Sequence, residues 1–160
     1  MPPVKSSREK ILEYLRTELF TRIVESAGYN NTVKTVERGR RNPKNMGEHE
    51  FPALFIASTQ EKRKNLNQIH FEATLQVVVV GYVMNTKGTV GGDGTGTQLD
   101  LDRLIQDVAR ALETEPLLGG DKKVKWLEVT EVTTDEGDLT PYGWFVMSIN
   151  VEYAGERTTP

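Results

Sequence analysis

The chain's 160 residues, 37% apolar and 27% charged with a mean hydropathy of −0.47, suit one soluble globular domain with a real but thin core. A net charge of −3 and a sequence pI near 5.5 remove any bulk electrostatic drive toward nucleic acid. The absence of cysteine excludes a disulfide scaffold, a thiolate zinc site and a cysteine nucleophile. The first residues, MPPVKSSREK, lack the apolar stretch of a signal peptide, and the longest unbroken apolar run, VVVV at 77–80, is far too short to span a bilayer.

Residues 1–5 carry two prolines and are expected to fray. Ser6 and Glu9 form an S-x-x-E capping pattern, and Ile11, Leu12, Leu15, Leu19 and Ile23 then recur at helical spacing. The spacing predicts a first helix that ends near Ala27, with Gly28 just past its end. A short strand is expected at 32–37. The stretch 38–49, RGRRNPKNMGEH, reads as a basic loop. Pro52 introduces a compact apolar strand at 53–59, and the charged stretch 60–67 is expected to be the turn of a hairpin. The following strand is the longest. Ile69, Phe71, Ala73, Leu75, Val77 and Val79 share one face, with His70, Glu72, Thr74 and Gln76 on the other. The polar face turns apolar at Val78, Val80 and Tyr82, so that end must be covered on both faces, by the chain's own fold or by a partner.

The glycine-rich stretch 84–98 leads into a second helix at 98–115. There Thr97 and Asp100 repeat the capping pattern, Asp100 and Asp102 complement the helix dipole, and Leu101, Leu104, Ile105, Val108 and Leu112 form the apolar stripe. Pro116 and Gly119–Gly120 stop it. Two strands, 123–133 and 143–153, close the chain around an acidic, turn-rich loop at 134–142, and 155–160 is a polar tail. The order helix, strand, hairpin, helix, hairpin predicts a single α+β domain over 1–160, frayed at 1–5 and 156–160. Its mostly antiparallel sheet would have about four or five strands, with the two amphipathic helices packed on it.

Few of these residues suggest chemistry. Gly92, Gly94 and Gly96 lie between a strand and a helix, where a phosphate could bind. However, their G-x-G-x-G spacing matches neither the dinucleotide nor the P-loop pattern, and Asp93 and Asp100 would repel an anion. A flexible loop is the better reading. His49 and His70 lack metal-ligand spacing and a nameable third ligand. The Asp135, Glu136 and Asp138 cluster lacks the ligand spacing of a calcium loop and reads as a solvated acidic loop. Two basic clusters stand out in an acidic chain: Arg38, Arg40, Arg41 and Lys44, then Lys62, Arg63 and Lys64. Each alone reads as a solvated tip. Together with the acidic loop they are candidate protein–protein contacts, and no aromatic residue is interleaved among them to stack bases. Neither a cofactor nor a metal is implied.

The ordered set of segments resembles the tail-terminator (tail-completion, minor tail) proteins of long-tailed bacteriophages and related contractile particles. The segments that carry the likeness are the opening helix REKILEYLRTELFTRI, the proline-led strand FPALFIAS, the long strand FEATLQVVVVGYV followed by an excursion, the helix LDRLIQDVARALETEPLLGG, and the closing strands KWLEVTEVTTDEGD and GWFVMSINVEYAGE. The likeness covers roughly residues 9–156 and rests on element order, with no catalytic motif. It implies a non-enzymatic virion protein, a commonly hexameric ring at the head-proximal end of the tail. The ring would stop tube polymerisation and offer the head-joining surface. Its partners would be copies of itself, the tail tube protein and a neck or head-completion protein, with the genome able to pass through the lumen. Two alternatives stand beside this: a neck or head-completion protein of the same particle, or a small enzyme binding a phosphate ligand at Gly92–Gly96.

Overall fold

A computed structural model describes residues 5–85, 95–120, 123–135 and 141–157. Helix α1 (Ser7–Tyr14) starts where Ser6 Oγ accepts the Glu9 N–H at 3.2 Å. The helix then widens into a π turn at Leu15–Leu19 and tightens into a 3₁₀ turn at Phe20–Arg22. In this stretch the Thr17 hydroxyl donates to the Glu13 carbonyl at 2.8 Å and the Thr21 hydroxyl to the Thr17 carbonyl at 2.9 Å, back-bonding of a kind that distorts helices. Ile11, Leu12, Leu15, Leu19, Phe20 and Ile23 are all buried despite the change of pitch.

The helix ends earlier than its sequence suggests. Ile23 and Val24, two β-branched residues, are extended, and a separate 3₁₀ turn at Glu25–Ala27 leads to Gly28, whose φ of 88° suits glycine. The turn is held because Thr32 Oγ1 accepts the Glu25 N–H and the Val33 N–H donates to the Ile23 carbonyl, both at 3.0 Å. Residues 32–34 are used in this way, so strand β1 is only Thr35–Arg38.

Five strands line up in the order β1-β2-β3-β5-β4, where β2 is Ala53–Asn65, β3 His70–Met84, β4 Val124–Thr134 and β5 Tyr142–Glu156. Only β1 and β2 are parallel. The expected α+β architecture is therefore present, a five-strand mixed, mostly antiparallel sheet with two helices packed on it. Helix α2 (Thr95–Thr114) lies across β3 and β5, and α1 lies against β2. Between them Leu101, Leu104, Val108, Ala111 and Leu112 meet Leu75, Val77, Val79, Met147, Ile149 and Val151 in the main core. Two glycines let rings lie flat in this core. A Cβ at Gly81 would sit 2.0 Å from the Phe145 ring, and one at Gly155 2.3 Å from the Phe71 ring.

Because α2 begins at Thr95, Thr97 is a buried first-turn residue and not the cap. Asp100 lies deeper in the helix and accepts from Asn85 Nδ2 at 3.1 Å, in place of the expected dipole role. After the helix Leu118, Gly119 and Gly120 take φ of 48°, 81° and 83°, and the fully buried Leu118 side chain anchors that left-handed run.

The charged stretch 60–67 is mostly strand. A bulge between Ser58 and Gln60 reverses which face of β2 each parity of residue occupies. Before the bulge Leu54 and Ile56 face the helices; after it Glu61 and Arg63 do, while Lys62 and Lys64 face outward. The turn itself lies between Asn65 and His70, with Asn67 Oδ1 accepting the N–H groups of Ile69 and His70 at 2.8 Å. Ile69, placed by alternation with the core, is instead in this turn and 58% exposed. Gly155 and Glu156, expected in the polar tail, extend β5.

On the sheet's second face the apolar end of β3 is covered by the chain itself. Two short 3₁₀ turns, Pro43–Asn45 and Glu48–Glu50, interrupt the expected open loop and bring Met46 and Phe51 onto Phe55, Val80 and Tyr82.

Candidate functional site

The first basic cluster divides in two. Arg41 serves the fold. It pairs with Glu37 at 3.1 Å and with Glu50 at 2.8 Å, and lies 5.9 Å from the Phe55 ring centre. The Arg41 hydrogen bond and the Gly47 N–H together hold the Glu50 carboxyl below its ordinary range. Arg40 Nε donates to the Tyr82 hydroxyl at 2.7 Å. Arg38 and Lys44 have exposed side chains. The same fold places aromatic rings here that sequence order keeps apart. Arg40, Arg41, Asn42 and Lys44 line a groove of about 460 Å³ with Tyr82 and Tyr142, residues brought in by β3 and β5. No local spacing could reveal that neighbourhood.

The second cluster is not a loop tip. Lys62 and Lys64 are exposed on the outward face of β2, where Lys64 stands opposite Glu72. Arg63 turns inward after the bulge, donates to Glu61 at 2.9 Å and stacks 4.4 Å from the Phe71 ring centre. Glu61 also accepts from the Tyr153 hydroxyl. Burial acts to raise the Glu61 carboxyl, but the Tyr153 and Arg63 hydrogen bonds outweigh it and hold the group below its ordinary range. Burial first, and Glu61 second, push the Tyr153 hydroxyl from 10 up to about 12. Counting from Ile56, which pairs with Arg38, Lys62 lies six residues further along β2, roughly 20 Å at strand rise. The two basic clusters thus occupy separate regions.

Of the acidic loop, Asp135 is held by its N–H to the Trp144 carbonyl at 3.1 Å, while Glu136 and Asp138 lie outside the described residues. So do Gly92 and Gly94, leaving the phosphate-loop alternative without described geometry; Gly96 is in the first turn of α2. His49 belongs to the Glu48–Glu50 turn and His70 opens β3. Among the described residues no group of three or more His, Asp or Glu could hold a metal ion, and no helix is long and apolar enough to cross a membrane.

Two features lay outside the sequence reading. Asp107, only 1% exposed, accepts from the backbone and side-chain amides of both Asn30 and Asn31 at 2.8–3.0 Å, pinning the approach to β1 onto α2. A buried carboxylate saturated in this way is a structural clamp. The other feature is the exposure of β4, the strand expected at 123–133, where bulges at 125 and 130 break the alternation of VKWLEVTEVTT. That disruption conceals its place at the end of the sheet and its exposed Trp126, Val129 and Val132 with Glu128 and Glu131. Taken together, the exposed residues among those described form charged and apolar patches spread over the ends and outer face of one sheet.

No family model matches the chain, and no curated protein matches it.

Proposed function

We propose that this protein is a tail terminator, a ring-forming subunit that caps the head-proximal end of a phage tail tube, stops its growth and offers the surface for head joining. The observation that carries the reading is the element order. An opening helix, a proline-led strand, a long central strand, a second helix and two closing strands build one sheet with both helices on the same side. The element order is the feature on which the resemblance to the family rests. The polar hairpin arm of β2 and β3 and the charged loop over the second face are suited to contacts with other subunits, the tube and a neck protein. The activity is assembly, without catalysis, cofactor or metal.

The test is assembly with tail tubes. Negative-stain images of the purified protein mixed with tubes should show density at one end only, and tails formed without it should lose their uniform length. Tubes left bare, with normal length control in the protein's absence, would sink the reading.

A further inference from the structure

The two ends of the sheet leave opposite charges unpaired among the described residues. β4, the strand at one end, lies open on both faces, with only Val124 of its 11 residues buried. On the helix side Leu127, Val129 and Val132 carry the apolar core outward past the helices, Val129 and Val132 being 37% and 39% exposed. On the other side stand Trp126, Glu128 and Glu131, with Lys125 taken up by Glu72. Among the described residues neither glutamate has an ion-pair partner. Among the described residues the outer backbone groups of β4 lack a neighbouring strand, a state that invites pairing with another chain. At the opposite end β1 is followed by the basic loop. Residues 34–44 hold Lys34, Arg38, Arg40, Arg41 and Lys44 against the single acid Glu37. Arg41 is taken up by Glu37 and Glu50, but Lys34, Arg38 and Lys44 are exposed and unpaired among the described residues.

We infer that the acidic, apolar β4 edge docks on the basic β1 side of a second copy of this chain, forming a heterologous contact. The charges are complementary between the two ends, about four strand spacings or roughly 19 Å apart. Self-pairing of two β4 edges about a two-fold axis would instead bring Glu128 and Glu131 of both copies together, which like charges disfavour. A contact between two different patches repeats head to tail and closes into a ring when its rotation permits. The inference therefore rests on the ring reading and names the surfaces that would form it.

The experiment compares three full-length variants with the wild type by sedimentation velocity and native mass measurement, with circular-dichroism melts to check folding. Glu128→Lys/Glu131→Lys alone, and Arg38→Glu/Lys44→Glu alone, should each weaken self-association by roughly 100-fold or more. The quadruple variant, with all four charges exchanged, should recover the wild-type oligomer, as should an equimolar mixture of the two double variants. If only the β4 reversal acts and the Arg38/Lys44 reversal is silent, β4 meets some surface other than the basic β1 side and the proposed contact is wrong. An oligomer indifferent to both reversals overturns the contact but leaves a ring standing. A wild type that stays monomeric also overturns it, while tail capping by that monomer would leave the tail-terminator reading intact.

Discussion

Replacing Asp107 with alanine should destabilise the fold by about 3 kcal/mol. The side chain is 1% exposed and accepts four hydrogen bonds, two from backbone N–H groups and two from side-chain amides of Asn30 and Asn31. Net hydrogen bonds to a charged acceptor contribute roughly 1.5–3 kcal/mol each, but they are not additive. The asparagine amides can turn toward water after the change, whereas the N–H groups of residues 30 and 31 are fixed by the backbone and are less free to do so. Counting the two backbone bonds at the low end of that range yields about 3 kcal/mol, or about 6–12 °C in melting temperature for a domain of this size. Asp107→Asn should recover little of the loss, because one oxygen is replaced by an amide that faces other donors. Chemical denaturation at neutral pH measures the difference, with the exposed helix residue Glu113→Ala as a control. A loss below about 1 kcal/mol, no larger than for an ordinary surface change, would refute the clamp.

Three further outcomes follow from the core and from the buried tyrosine. Leu104→Ala, at a fully buried position of α2, should cost about 2–5 kcal/mol through lost burial and a cavity, and an unchanged melt would place that face of the helix in solvent. Gly81→Ala pushes a methyl group to within 2.0 Å of the Phe145 ring and should cost about 1–3 kcal/mol; an added Phe145→Leu should relieve part of it, and failure to do so would locate the strain elsewhere. Glu61→Gln should lower the Tyr153 pKa from about 12 toward 10 in a phenolate absorbance titration. Since folding raises this pKa, its contribution to stability is complete below pH 10 and fades as pH climbs toward 12. Glu61 works in the opposite sense: its depressed carboxyl stabilises above the ordinary carboxylate range and ceases to do so as pH falls through its folded value, so Glu61→Gln should flatten the acid limb of the stability curve.

Those parts of the fold with an undisturbed period were legible. β5 alternates over its 15 residues and β3 as far as Val79, and the stripe of α2 repeats cleanly, so their type, order and buried faces could be read directly. Elsewhere a local change of pitch or phase hid the answer. Extended Ile23 and Val24 brought the first helix to an early end, and the bulge near Thr59 made a strand look like a charged turn. Two further bulges blurred β4. The charges were visible, but not their allegiances. Arg41 and Arg63 read like their neighbours, yet each is tied to a glutamate and an aromatic ring of its own fold, while among the described residues Arg38, Lys44, Lys62 and Lys64 are exposed without such ties. Reversing Arg41 or Arg63 would therefore test folding and assembly at once, and the exposed four are the cleaner set.

The bulge in β2 acts as a phase shifter for everything beyond it. Without that one unpaired residue, Lys62 and Lys64 would point into the apolar interior, and the ring-stacked Arg63 with its glutamate would swing out to water. The arm is therefore insensitive to its absolute length but sensitive to whether that length is odd or even. Removing two residues between 60 and 65 shortens the hairpin and leaves the facing of the remainder unchanged; removing one inverts it. Drift in the reach of this arm is thus constrained to steps of two, so whatever surface it touches must accommodate changes of nearly 7 Å at a time.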